Sequence, residues 1–94
     1  MSVYLVTWDL NKEKPNYSVA RTRFLSKLEA YENKSDSGLD SVRFISTNHN
    51  ADQISDDLRQ ALDDNDRLFI TKLISGNHQG WLKKDVWEWI NSRL

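Results

Sequence analysis

The chain contains no cysteine, which excludes disulfide bridges, thiolate metal sites and thiol catalysis. Apolar runs of the roughly 18 residues that a membrane-spanning helix needs are also missing, so we expect no membrane insertion. No charged-then-apolar leader precedes Val3, and we therefore expect no secretion. Together these absences favour a cytoplasmic protein, because thiol-free chains fit a reducing compartment.

The chain also has no excess of positive charge. The formal net charge is −1 and the isoelectric point is about 6.1, whereas strong nucleic-acid binders are usually basic. Cations nevertheless concentrate in the first third of the chain, at Lys12, Lys14, Arg21, Arg23, Lys27 and Lys34. The composition therefore allows a local basic surface but not a generally basic protein.

Glycine is scarce, and the two motifs that depend on it are absent. Neither Gly-x-Ser-x-Gly nor a phosphate-cradling glycine loop can be found among the 3 glycines. This disfavours hydrolase-fold and nucleoside-triphosphate chemistry. The 94 residues, 38% of them hydrophobic, predict one domain over residues 1–94 with a thin core. Small domains of this kind often gain burial by pairing with a second copy.

The stretch Val3 to Asn11 carries the strongest strand signal and the most suggestive polar residue. Its β-branched and aromatic residues predict a strand buried on both faces. Because a strand interior has no use for a carboxylate, we expect Asp9 to lie where the strand leaves the sheet. Asp9 could there bind a metal ion, or it could accept N–H bonds from the following loop as an ordinary strand-end residue.

Helical spacing is clear in two further segments. After Pro15 the apolar face is formed by Tyr17, Ala20, Phe24, Leu25, Leu28 and Tyr31. A second helix is expected after Asn50, which together with Gln53 resembles a capping box. Its buried stripe is Ile54, Leu58, Ala61 and Leu62, and the aspartates between Asp52 and Asp66 are predicted to face water.

The remaining segments predict turns, strands and a last helix. Asn33–Gly38 has turn chemistry, and Leu39–Thr47 is one strand or a short hairpin broken near Asp40. Arg67–Ile74 is a second apolar run that suggests an inner strand. Trp81–Ile90 is predicted to form a terminal helix whose tryptophans pack on the core or at an interface, base stacking being the alternative.

This element order predicts an α+β sandwich with helices on one face of one sheet. The natural solution is the ferredoxin-like split βαβ arrangement (βαββαβ) with an additional C-terminal helix. We expect the two apolar strands to lie side by side at its centre. The sheet face away from the helices would then be open to a partner.

Several short motifs resemble one family. Tyr-Leu-Val-Thr-Trp-Asp-Leu-Asn-Lys, Leu-Asp-Ser, Asn-Asp-Arg-Leu and Gly-Trp-Leu are similar to the short bacterial proteins labelled SinR-like. The wider pattern, with Asp-Ser-Val-Arg-Phe and Asp-Arg-Leu-Phe-Ile, resembles the CRISPR-associated protein two (Cas two) family and its VapD-type toxin relatives. The similarity runs from about Val3 to the terminal helix.

The resemblance implies a ferredoxin-like homodimer in which Asp9 of each subunit faces its mate across the two-fold axis. In the family such a pair can bind a divalent metal, here Mg²⁺, for cleavage of RNA or DNA phosphodiesters. The chain departs from the family pattern at Trp8, at Arg43 and in its C-terminal helix, which stands where adaptation proteins carry an extra strand. The last of these departures, the C-terminal helix, favours a stand-alone role over a spacer-acquisition complex.

Two functions are therefore expected from the sequence. The first is a nucleic-acid-acting homodimer, a metal-dependent endonuclease with Asp9 as catalytic residue and metal ligand. Arg21, Arg23 and Lys27 would contact the phosphate backbone, or else form a solvated helix face. The second is a non-catalytic dimeric binding or scaffold module in which Asp9 is structural. His49 and His78 lie in polar loops and are expected to be solvated.

Overall fold

Strand β1 (Ser2–Asp9) is the centre of the computed structural model, which describes residues 1–94. It pairs antiparallel with β3 (Val42–Thr47) on one side and with β4 (Arg67–Lys72) on the other. Strand β2 (Glu32–Lys34) pairs with the outer edge of β3, so the antiparallel sheet has the order β2-β3-β1-β4. Three helices complete this mixed α+β structure: α1 (Tyr17–Glu29), α2 (Ala51–Arg59) and α3 (Lys84–Asn91).

Helices α1 and α2 cover one face of the sheet, as their apolar spacing predicts. Alternate residues of β1 point towards them, because successive strand side chains lie on opposite faces. The buried residues of this cluster are Tyr4, Val6, Trp8, Leu10, Phe24, Leu28, Ile45, Ile54, Leu58 and Ala61. Burying such side chains contributes about 1.5–3 kcal/mol each, so this cluster supplies most of the hydrophobic stabilisation.

The predicted capping box at the start of α2 is confirmed. Asn50 Oδ1 accepts a hydrogen bond from the Gln53 backbone N–H at 2.8 Å. Gln53 Oε1 in turn accepts one from the Asn50 backbone N–H, also at 2.8 Å. Two N–H groups that the first helical turn leaves without partners are thereby satisfied.

Helix α3 lies on the opposite face, so the expectation that all helices share one face is wrong. Val86 and Ile90 are one helical turn apart and are both buried. They pack with Val3, Phe44 and Leu73 in a second cluster. The physical reason is that β1 is apolar on both faces, and its second apolar face needs a cover of its own.

Strand β4 lies at an edge of the sheet, which corrects the prediction of an inner strand over Arg67–Ile74. Leu68 and Ile70 pack against the α1–α2 cluster, but Phe69 between them is 63% exposed. The continuous apolar run of β4 has the sequence pattern of a strand covered on both faces, although only one of its faces is covered. In fact the cluster under α3 contains Val3, Phe44 and Leu73, and the Phe69 side of the same face is left open.

Three boundaries also differ from the predictions. Strand β2 (Glu32–Lys34) includes the beginning of the segment predicted as a turn, Asn33–Gly38. Strand β3 begins only at Val42, so the predicted strand at Leu39–Asp40 is wrong and those residues belong to the β2–β3 connection. Helix α3 begins at Lys84 rather than at Trp81. None of the helices is long and apolar enough to cross a membrane.

Candidate functional site at the end of the first strand

Asp9 is the last residue of β1 and lies opposite Arg67 in the register with β4. It is exposed to solvent, and its carboxylate makes no ion pair or side-chain hydrogen bond within the chain. The strand ends here because the next residues turn away, with the Asn11 N–H donating to Asp66 Oδ1 at 2.8 Å. Asp9 thus lies where the sequence predicts, and its oxygens are free for an external ligand.

A cleft of about 290 Å³ surrounds Asp9. Its lining combines carboxylates, cations, a hydroxyl and aromatic rings, from Trp8, Asp9, Leu10, Lys12, Tyr17, Arg21, Asp40 and Ser41. The Ser41 carbonyl accepts hydrogen bonds from Thr7 Oγ1 at 2.8 Å and from the Trp8 N–H at 3.2 Å. These bonds hold the Asp40–Ser41 loop against the end of β1.

Sequence reasoning missed three of the polar residues in this cleft as site residues. Asp40 and Ser41 precede β3, and only the pairing of Thr7 with Val42 brings them beside Asp9. No local signal could have found them. Lys12 is different, because it lies three residues after Asp9 in the sequence. This spacing alone could have identified Lys12 as a candidate site residue.

The cleft offers cations to an anionic group, but one chain supplies too few ligands for a metal ion. Lys12 and Arg21 supply two positive charges, which Asp9 and Asp40 balance, and Arg is well matched to phosphate oxygens. No group of three or more His, Asp or Glu side chains in the chain could hold a metal ion. A divalent cation prefers several oxygen ligands, so a metal at Asp9 would need further ligands from outside this chain.

The three predicted nucleic-acid contacts are not brought together. Arg21 lines the Asp9 cleft. Arg23 is exposed, and its Nη2 lies 3.5 Å from the Gln60 carbonyl. Lys27 forms an ion pair with Asp57 at 2.9 Å. Only Arg21 therefore shares a surface with Asp9.

Lys27 belongs to a polar contact between α1 and α2. Asp57 accepts hydrogen bonds from Lys27 Nζ at 2.9 Å and from the Tyr31 hydroxyl at 2.7 Å. Burial acts to raise the pKa of Asp57, but these two donors outweigh it and hold that pKa below its usual range. Burial and the neighbouring Asp57 raise the pKa of Tyr31. Lys27 is therefore engaged in a contact within the chain rather than free to bind a phosphate.

A second polar contact closes the loop after β1. The Asp66 side chain is fully buried and accepts hydrogen bonds from Lys14 Nζ at 2.8 and 2.9 Å and from the Asp63 N–H at 3.0 Å, besides the one from Asn11. Burial acts to raise the pKa of Asp66, but the donors outweigh it and the pKa is lowered. The prediction that the aspartates up to Asp66 all face water is therefore wrong for Asp66.

The histidines and tryptophans lie outside the Asp9 cleft, apart from Trp8. The His49 and Tyr31 rings are nearly perpendicular with their centroids 6.0 Å apart, and the His78 ring stacks on Trp87 with centroids 6.3 Å apart. Trp87 and Trp89 pack against the α3 cluster, as predicted. Trp81 is fully exposed and precedes α3, so its predicted place in a packed helix is wrong.

A larger cleft, of about 700 Å³, lies between α2 and β4. Its charged lining residues are Asp56, Arg59, Asp63, Asp64, Asp66 and Arg67. Carboxylates outnumber cations there, which disfavours a phosphate backbone in this cleft. In the Asp9 cleft two cations balance two carboxylates, so it is the better of the two candidates for an anionic ligand.

Comparison of the chain with protein-family models gave no match, and comparison with curated proteins gave none either.

Proposed function

We propose that this chain is a cytoplasmic, nucleic-acid-acting homodimer that cleaves RNA or DNA with Asp9 of both subunits. In this proposal the fold is the ferredoxin-like split βαβ arrangement with α3 added. The alternation β1-α1-β2-β3-α2-β4 and the central position of β1 and β3 support that arrangement. The resemblance of the motifs around Asp9 to the Cas two and VapD-type proteins supports the activity.

The observation that carries the proposal is the free carboxylate of Asp9 beside two cations. Asp9 has no partner in its own chain, while Lys12 and Arg21 line the same cleft. A phosphodiester could therefore be bound by the cations with a carboxylate next to it. Neutralisation of the phosphate by Lys or Arg is the main source of affinity for nucleic acids.

Magnesium is the proposed cofactor, and its ligands would be the two Asp9 carboxylates of the dimer. Two like carboxylates brought close by symmetry repel each other unless a proton or a cation lies between them. When bound, the metal would supply an activated water molecule and polarise the phosphate. Lys12 and Arg21 would position the phosphodiester, and the anchored Asp40–Ser41 loop would shape the side of the cleft.

The test is cleavage of labelled single-stranded RNA and double-stranded DNA by wild-type protein and by Asp9→Asn. We expect Mg²⁺-dependent cleavage by the wild type and a loss of about 100-fold or more in the variant. Asp56→Asn is the matched control, because Asp56 is an exposed carboxylate on α2 outside the Asp9 cleft. Cleavage that survives Asp9→Asn, or that resists a chelator, would refute the assignment.

A non-catalytic dimeric binding or scaffold module is the second candidate. The net charge of −1 and the carboxylate-rich cleft between α2 and β4 favour it. Under this function Asp9 binds no metal, and Arg67, which lies opposite it in the register of β1 and β4, is the neighbouring cation in the same chain. Under this function a partner protein stays bound in pull-down assays despite Asp9→Asn and despite chelator.

A further inference from the structure

Helix α3 is attached to the rest of the chain by polar contacts with β2 and the residues after it. Glu32 and Lys34 belong to β2, and Asp36 follows two residues after the strand ends. Glu32 forms an ion pair with Arg93, just beyond the end of α3. Lys34 Nζ lies 2.9 Å from a carboxylate oxygen of Asp85 in the first turn of α3. These ion pairs hold both ends of the helix, which therefore lies antiparallel to β2.

Asp36 makes a third contact, which is buried. The residue is 7% exposed, and its Oδ1 accepts a hydrogen bond from the Gly38 N–H at 2.8 Å. Its Oδ2 accepts one, also at 2.8 Å, from the N–H of Lys83, the residue directly before α3. Charge-assisted hydrogen bonds are stronger than neutral ones, whereas partly exposed ion pairs contribute little and are screened by salt. Asp36 is therefore the firmest polar contact between α3 and the rest of the chain.

The apolar contact beneath α3 is small. Val86 and Ile90 are the buried residues of the helix, and they belong to a cluster of five buried residues. The cluster under α1 and α2 contains ten. Segments with few buried apolar side chains open at a lower free energy than the rest of a protein. Helix α3 is therefore held less firmly than α1 and α2.

The segment between β4 and α3 has the properties of a hinge. Residues 74–83 contain no helix or strand. Gly76 has a φ of +82°, a conformation that glycine adopts at no steric cost. Trp81, close to the beginning of α3, is fully exposed and makes no packing contact that would fix the segment. The helix is thus free to move away from the sheet while β4 stays paired with β1.

We propose that α3 is a hinged cover that releases from the sheet as a unit, while α1, α2 and the four strands stay folded. Release breaks the contacts of Glu32, Lys34 and Asp36 and exposes the apolar sheet face around Val3 and Phe44. The opposite face stays covered, because its cluster contains no residue of α3. Helix α3 thereby controls access to one face of the sheet, independently of Asp9 and of the proposed cleavage.

A thiol placed under α3 reports this release, because the chain itself contains no cysteine. Val3→Cys and Val6→Cys are a matched pair, since both valines are 0% exposed in β1 and they lie on opposite faces of the sheet. We expect a water-soluble maleimide to label Val3→Cys at least about 30-fold faster than Val6→Cys under native conditions, because only global unfolding exposes position 6. Equal labelling rates would overturn the proposal.

Charge reversal tests whether the polar contacts hold the cover. In the Val3→Cys protein we expect Lys34→Glu to raise the labelling rate about 5-fold, the upper range for a partly exposed ion pair. Addition of Asp85→Lys should bring the rate back to within about 2-fold of the starting value. Lys84→Glu is the matched control, since Lys84 is exposed on α3 and pairs only with Glu88 of the same helix. This control should leave the labelling rate unchanged.

Asp36→Ala is expected to have a larger effect, about 10-fold or more, because it removes a charged acceptor of a backbone N–H. Lys34→Glu and Asp36→Ala variants that both label at the original rate would overturn the proposal. That result would show that fraying of the beginning of β1, and not release of α3, exposes position 3. Far-UV circular dichroism checks that each variant is folded.

Hydrogen exchange provides a second measurement on the unmodified protein. We expect the backbone amides of α3 to exchange at least about 10-fold faster than those of α1. The ratio should increase in 1 M NaCl, because salt at about that concentration shortens the screening length to about 3 Å. Amides of α3 that exchange no faster than those of α1 would show that the helix leaves the sheet only on global unfolding, which would overturn the proposal.

Discussion

Two carboxylates lie at the same end of the sheet and have opposite environments. Asp66, just before β4, is buried and accepts hydrogen bonds from Lys14 and from the N–H groups of Asn11 and Asp63. Asp9, at the end of the neighbouring β1, is exposed and has no polar side-chain partner in the chain. A carboxylate whose oxygens are all satisfied serves the fold, whereas a free one remains available to a ligand.

The difference follows from where the two loops go after their strands. The loop after β1 folds back over Asp66 and buries it, and Lys14 in that loop supplies the compensating charge. The same loop leaves Asp9 at the rim of a cleft whose cations, Lys12 and Arg21, line the wall without pairing with it. Residue type is identical at the two positions, and only the surrounding donors distinguish them.

Asp66→Asn is expected to have the largest effect on stability. The substitution removes a buried charge that Lys14 and two backbone N–H groups satisfy, and breaking a buried ion pair costs about 3 kcal/mol. Chemical unfolding in urea, followed by circular dichroism, measures the change. Asp64→Asn is the control, because Asp64 is exposed and makes no ion pair. Equal stabilities of the two variants would contradict a structural role for Asp66.

The second prediction concerns acid pH. The pKa of Asp66 is lower in the folded state than in the unfolded state, where it is about 3.9. The stabilisation that Asp66 contributes is therefore fully present above the unfolded-state pKa and is lost as the pH falls through the folded-state pKa. Asp36 and Asp63, whose pKa values are lowered by hydrogen bonds, contribute in the same direction. We expect wild-type stability to fall between about pH 5 and pH 2.

The measurement for this second prediction is a series of urea unfolding curves over that pH range. Asp66→Asn should show a shallower loss than the wild type, because it lacks one of the carboxylates that titrate. Parallel losses in the two proteins would show that Asp66 contributes nothing to the acid sensitivity.

Asp9 is expected to have the smallest effect on stability. Asp9→Asn should change the free energy of unfolding by less than about 0.5 kcal/mol, as exposed substitutions without partners do. Under the proposed function, Mg²⁺ at 10 times its dissociation constant should stabilise the wild-type dimer by about 1.4 kcal/mol and leave Asp9→Asn unchanged. Thermal unfolding with and without Mg²⁺ measures both effects. An Asp9→Asn variant that Mg²⁺ stabilises as much as wild type would place the metal elsewhere.

Structural features that depend only on residues close together in the sequence were predictable. The apolar face of α1, with Ala20, Phe24 and Leu28 buried, follows from helical spacing. The capping box of Asn50 and Gln53 follows from residue types three positions apart. Asp9 could be singled out because a carboxylate after an apolar strand is out of place in a sheet interior.

Features that depend on distant pairing were not predictable. The position of β4 at the sheet edge depends on which strands pair with β1 on its two sides. The apolar sequence around Phe69 does not indicate whether β4 lies at the edge or inside the sheet. The face covered by α3 depends on which apolar surface of β1 was still free. The Asp40–Ser41 side of the candidate cleft arises only from the pairing of β1 with β3.

Local sequence thus settled the helices, the first strand and its terminal carboxylate, because spacing, capping and residue type act over a few neighbouring positions. Packing over long sequence separations settled which aspartate is buried, which strand is at the edge and which cations share a cleft with Asp9. The physical reason is that burial and hydrogen bonding depend on neighbours in space, and the pairing of residues far apart in the chain, such as Thr7 with Val42, supplies those neighbours.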